Sequence, residues 1–92
     1  MMELSDLKKK EILYVYLIIR IILLLTYKNW YNEYPSIKDL VNSGFYYAGK
    51  EDRVICFYCG LGLWEWGKTD NVNDEHLKYS SKCIFMKNII KK

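Results

Sequence analysis

Histidine and proline each occur once in this 92-residue chain, and cysteine occurs three times. An odd number of thiols excludes a fully paired disulfide framework. No convincing secretory signal opens the sequence, so a reducing cytosol or nucleus is the expected setting. Low-complexity runs and internal repeats are missing, which excludes linker-like and solenoid architectures. The net charge is a modest +3. Lys8, Lys9 and Lys10 crowd one end and Lys87, Lys91 and Lys92 the other, with no continuous basic face interleaved with aromatics between them. Nucleic-acid binding needs such a face. Trp64 and Trp66 sit instead among Glu65, Asp70, Asp74 and Glu75, a poor setting for phosphate. A chain of this length has no room for a second domain. A domain this small buries only about 60–65% of its unfolded surface and often needs a staple.

Apolar side chains, by contrast, are abundant, at 51% of residues, and 16% are aromatic. Lys, Ile, Asn and Tyr are plentiful, as the codon bias of an AT-rich genome would produce. The most apolar stretch is ILYVYLIIRIILLLTY, residues 12 to 27, preceded by Glu11 and interrupted by Arg20. It falls short of the roughly 20 residues of a bilayer span, and a central arginine is costly there. A helix that is apolar all round is usually buried, so one or two core helices are expected. Membrane attachment and a greasy contact with a partner chain, including a dimer through this segment, are the alternatives.

Further along, Ser36 suits an N-cap after Pro35, and Leu40 and Val41 would face the core of a short helix stopped by Asn42, Ser43 and Gly44. Phe45–Tyr47 reads as a strand and AGKED as a turn. RVICFYC and GLGLWEW read as a hairpin around Cys59 and Gly60. Residues 70 to 88 are predicted to return to helix, with Asn73 as N-cap and Asp74 and Glu75 at the positive end of the dipole.

The three cysteines and the single histidine fall in the pattern C56-x2-C59-x16-H76-x6-C83. Zinc takes four soft or borderline ligands, and two cysteines three apart form a knuckle that supplies one edge of the tetrahedron. His76 and Cys83 are two helical turns apart and can face one point. Three thiolates and a neutral imidazole fill every position, so no site remains for an activated water and the metal is read as structural. Its binding energy would then be folding energy, of order 10 kcal/mol. With His76 on the metal, no nucleophile–base pair is left uncommitted, and an enzyme is not expected. The bland alternative is buried thiols beside a chance histidine.

With these ligands placed, SGFYYAGKEDRVICFYCGLGLWEWGKTDNVNDEHLKYSSKC, residues 43 to 83, resembles a BIR domain, the zinc module of the inhibitor-of-apoptosis family. The GFYY lead, the CFxCG knuckle, the spacing of Leu63 and Trp66 and the EH-x6-C ending carry the resemblance. It extends weakly back to about residue 24, with Tyr27 and Trp30 in the family's aromatic places. Leu23 stands where the family usually has arginine, with Arg20 one turn earlier. The tryptophan or proline usual before the histidine is missing from DNVNDEH. The resemblance implies an α+β fold: a short three-stranded antiparallel sheet surrounded by helices. It divides the chain into an apolar lead-in helix (1–18), a zinc domain (19–89) and a basic tail (90–92).

Peptide-binding members of the family hold the free N-terminus of a partner that begins with alanine. The resemblance places Asp70 and Glu75, helped by Glu65, as the carboxylate pocket for the ammonium, and Trp66 and Tyr79 as walls for the methyl. The backbone of Gly62, Leu63, Trp64 and Glu65 would add the peptide as an extra strand. A plainer alternative is that Trp66 covers the hairpin while the acids cap a helix and face solvent. The implied function is an adaptor that captures caspases or the antagonists that displace inhibitors from them. No ubiquitin-ligase ring is expected, since no second cysteine-rich block follows Cys83. Sequestering antagonists is the more economical mechanism, and a compact AT-rich gene fits a virus or a small parasite. EHLKYSSKCIF also resembles the survivin type of single-BIR protein, a reader of a histone N-terminal tail in mitosis. Tyr79 stands where that type has a phosphate-contacting histidine, and MKNIIKK is too short for its long following helix. A zinc module that only holds an assembly together is a third possibility.

Overall fold

The computed structural model describes residues 8–90; the start of the lead-in segment (1–7) and the end of the basic tail (91–92) lie outside the described residues. Helix α1 spans Lys9–Leu25 and is unbroken across residue 18, where the sequence suggests a domain boundary. The Lys8 N–H donates to Glu11 Oε1 at its start (3.1 Å). At its end the Thr26 hydroxyl donates to the Leu23 carbonyl (2.6 Å) and accepts the Tyr47 N–H (2.9 Å), which ties the helix to the sheet. Tyr27 donates to the Phe45 carbonyl (2.8 Å) and packs with Trp30 and Tyr47. Arg20 donates to Asn42 Oδ1 of the next helix.

The expectation that this apolar segment is a core helix is corrected. Leu23 is its one fully buried residue, with Ile19 partly buried beside it. Leu13, Leu17, Ile18, Ile21, Ile22 and Leu25 are all exposed. The physical reason is size: a domain this small can cover one stripe of the helix but cannot wrap it.

Helix α2, Ile37–Asn42, begins as expected, with the Ser36 Oγ accepting the Asp39 N–H (3.1 Å), and it buries Leu40 and Val41. Gly44 ends the turn at φ +89°; a Cβ there would meet the Phe85 ring at 2.8 Å, so both conformation and space call for glycine. Strand β1 (Phe45–Tyr47) pairs antiparallel with β2 (Val54–Cys56), which pairs antiparallel with β3 (Gly62–Leu63). The sheet order is β1-β2-β3, so β3 is an edge. Side chains on one sheet face, Phe45 and Val54 among them, meet Leu40 and Met86 in the core.

The hairpin strands are shorter than RVICFYC and GLGLWEW suggest. Residues 57–61 turn as a knuckle, with the Gly60 N–H donating to the Cys56 carbonyl (3.0 Å) and Gly60 at φ +77°. Helix α3 spans Val72–Tyr79, and its N-cap is Asn71, whose Oδ1 accepts the Asp74 N–H (3.0 Å), not Asn73. The expected run to residue 88 is also broken. A turn closed by the Cys83 N–H on the Ser80 carbonyl (3.0 Å) separates α3 from α4, Ile84–Ile90. A continuous helix would carry Cys83 past the knuckle; the turn brings it back.

Candidate metal centre and adjoining groove

Four elements deliver the four expected ligands to one point. Cys56 ends β2, Cys59 sits in the knuckle, His76 lies in the middle of α3, and Cys83 precedes α4. Their sulfur and nitrogen atoms all lie within 4.8 Å of one another, and Cys59 Sγ is 3.4 Å from His76 Nε2. Cys56, His76 and Cys83 are buried and Cys59 is exposed. The Tyr58 and Cys59 N–H groups donate to Cys56 Sγ (3.4 and 3.5 Å), the bonds that bias a sulfur toward thiolate.

Ser43, which sequence reasoning used only as a helix stop, orients the imidazole. Its buried hydroxyl donates to Met86 Sδ (3.4 Å) and so accepts from His76 Nδ1 (3.1 Å), which leaves the Nε2 lone pair for a metal. Burial holds His76 below its ordinary value, with the Ser43 backbone opposing, so the ring is the neutral, ligating form. Burial pushes the Cys56 thiol up to about 12, against the pull of its two backbone donors. Burial also acts upward on Cys59, but hydrogen bonding with Ser80, the Leu61 backbone, Cys56 and Cys83 outweighs it, and that thiol lies below its ordinary value. An adjacent divalent cation would take both as thiolates. Three sulfurs and one imidazole nitrogen form a donor set that fits zinc and not calcium or magnesium.

Beside this cluster opens a groove of about 430 Å³. All eight residues expected to grip a peptide line it. Gly62, Leu63, Trp64 and Glu65, the carboxylates Asp70 and Glu75, and the rings of Trp66 and Tyr79 line it, together with Leu61, which was not anticipated. Gly62 and Leu63 form β3, the edge strand of the sheet. Trp66 is 8% exposed and meets Phe45 edge to face at 6.3 Å, so it belongs to the core as well as to the groove. Its indole Nε1 is buried without a protein partner. Trp64 is half exposed, with the Arg53 guanidinium 4.9 Å above its ring. Asp70 Oδ2 accepts the Gly67 N–H (2.7 Å), which holds that carboxylate at the groove's rim.

Asp52 was missed. Its two oxygens accept the consecutive N–H groups of Glu65 (2.9 Å) and Trp66 (2.8 Å) and hold Glu65 at φ +58°. This clamp turns the chain out of β3 and fixes Trp66 across the groove. Nothing in the sequence spacing announces it, because the 13-residue reach depends on the AGKED turn folding back beside the hairpin.

The sequence model of the BIR family, described as the Inhibitor of Apoptosis domain, matches residues 24–87. The chain belongs to the BIR family. Human Baculoviral IAP repeat-containing protein 3 is 46% identical over 65 residues, which is 71% of this chain and 11% of that protein. The chain therefore spans only about a tenth of that relative's length. Two solved structures share the fold. DIAP1 BIR1 bound to a Grim peptide superposes with a TM-score of 0.69 at 27% identity, over 72% of this chain and 68% of the other. The autoinhibited dIAP1-BIR1 domain gives 0.72 at 26% identity, over 75% and 73%. A BIR domain is a protein-interaction module, and in this one the α+β fold and the cluster able to hold one metal ion match the family.

Proposed function

We propose that this BIR domain holds one structural zinc ion and captures the free, alanine-led N-terminus of a partner chain. The partners are processed caspases or the antagonists that displace inhibitors from them, met in the cytosol or nucleus, and the domain suppresses apoptosis by occupancy. The observation that carries this reading is the convergence of Asp70, Glu75 and Trp66 at the free edge of β3. An edge strand offers unpaired N–H and C=O groups to an extended peptide, which adds as a fourth strand. Two carboxylates among the lining residues suit an ammonium and not a terminal carboxylate, and the rings of Trp66 and Tyr79 suit a small methyl. Zinc, when bound, supplies a charge that holds the thiolates and locks the knuckle, and hence β3, in place. The Grim peptide on DIAP1 BIR1 supports a ligand of the antagonist kind.

Isothermal titration of an alanine-led tetrapeptide, its N-acetylated twin, and a histone-tail peptide with and without phosphothreonine tests the reading. The free amine should bind and the blocked twin should not. Equal binding of both contradicts the carboxylate pocket, and preference for the histone tail selects the mitotic reading instead. Asp70→Asn keeps an acceptor for the Gly67 N–H, so the fold should persist while affinity drops by about 1–3 kcal/mol.

A further inference from the structure

The outward side of α1 is apolar, exposed and uncharged. Tyr14, Leu17, Ile18, Ile21, Leu24 and Leu25 are 45–72% exposed, and the single charge between residues 12 and 25, Arg20, turns inward to Asn42. We propose that this face is the two-fold interface of a homodimer in which two copies of α1 pack antiparallel.

Three features of the helix select a second copy as the occupant. The first is spacing: Tyr14, Leu17, Ile21 and Leu24 follow one another at intervals of 3, 4 and 3, the seam of a left-handed helix pair. The second is area. Seventeen residues make a helix about 25 Å long. Its six outward apolar side chains, 45–72% exposed, form a strip over that length, and the pairing must bury about 800 Å² per copy to match a standard stable interface. The third is charge. Glu11 caps the first turn, where Lys9 and Lys10 also sit, whereas the last turn holds no basic residue. The C-terminal end is therefore unmatched alone. Antiparallel pairing places the lysines of one copy beside the terminal carbonyls of the other; parallel pairing would stack lysine on lysine.

A membrane surface is a poorer occupant. An interfacial helix carries basic side chains along the borders of its apolar face, whereas here the lysines lie at one end. None of the described helices is long and apolar enough to cross a bilayer. Because α1 packs on α2 and β1 while the groove lies along β3, at the opposite edge of the sheet, both grooves stay open in the dimer. If the proposed capture of N-termini holds, the dimer is a bivalent reader.

Sedimentation equilibrium of the full chain, zinc-loaded, reduced and free of lipid, tests this at concentrations up to about 100 µM. The expected mass is twice the monomer's 11.1 kDa. Leu17→Glu with Ile21→Glu should weaken association by about a hundredfold or more, with zinc content unchanged and thermal unfolding matching the wild type in samples dilute enough to be monomeric, because both side chains are exposed in the single chain. Lys9→Glu with Lys10→Glu should weaken it several-fold. A wild-type monomer at the top concentration overturns the proposal, whether or not it binds phospholipid vesicles. So does a dimer that survives the Leu17/Ile21 double change. An unaltered dimer after the lysine changes overturns the antiparallel arrangement. Peptide titration of the Leu17/Ile21 double variant separates the two readings: binding should persist per chain even where association is lost.

Discussion

Helix α1 and the region from β2 to α4 are both rich in apolar side chains, yet they use them in opposite ways. Around the metal cluster, residues far apart in sequence converge and disappear from solvent: His76 and Met86 are fully buried, and Cys56 and Cys83 nearly so. Ser43 serves both His76 and Met86 there. Along α1 one residue is fully buried, Leu23, and the apolar remainder faces outward. The difference shows that hydrophobic content does not decide burial in a chain this short. Convergence does: β2, the knuckle, α3 and α4 meet at the cluster of Cys56, Cys59, His76 and Cys83, and α1 has no such tie beyond Thr26, Arg20 and one stripe of side chains.

The largest break in that comparison comes from the ligands. Cys83→Ala, or removal of metal by a chelator, should abolish the cooperative unfolding transition followed by circular dichroism, since a structural site of this kind contributes on the order of 10 kcal/mol. Persistence of a sharp transition would mean the core stands without the cross-link.

Within α1, burial should separate neighbours. Leu23→Ala should cost about 2–4 kcal/mol of stability in urea denaturation, whereas Leu17→Ala, six residues earlier on the exposed side, should cost far less in a sample dilute enough to be monomeric. Equal costs would show that the outward face is covered within one chain.

A smaller effect sharpens the groove side. Asp52→Ala removes the acceptor for the Glu65 and Trp66 N–H groups, so peptide affinity should fall by about 1–3 kcal/mol while zinc stoichiometry stays at one per chain. Unchanged affinity would mean the rim does not depend on this clamp.

Much of the architecture could be read from residue chemistry. Ligand types at Cys56, Cys59, His76 and Cys83 state their purpose wherever the chain puts them, and they now lie together. Ser36 as a cap, Gly44 as a stop and Phe45–Tyr47 as a strand rest on local rules, and the structure follows them. Non-local effects explain the departures. The choice of Asn71 over Asn73 as cap belongs to the loop closed between Gly67 and Asp70. The break at Ser80–Cys83 coincides with Cys83 joining the ligand cluster, and SSKC contains no helix breaker to announce it. Asp52 and Ser43 act across 13 or more residues, a reach that no periodicity reports. The exposure of α1 depends on how much domain there is to cover it, which is a property of the whole chain.

The central claim, that the metal-held edge of β3 and its acidic, indole-lined notch receive a free amine, is tested most directly by amide and indole NMR of the zinc-loaded protein. Addition of the unblocked alanine-led tetrapeptide should move the signals of Gly62, Leu63, Glu65 and the unpartnered Trp66 indole N–H, and the acetylated peptide should leave them in place. Shifts confined to α1, or identical shifts with both peptides, would contradict it.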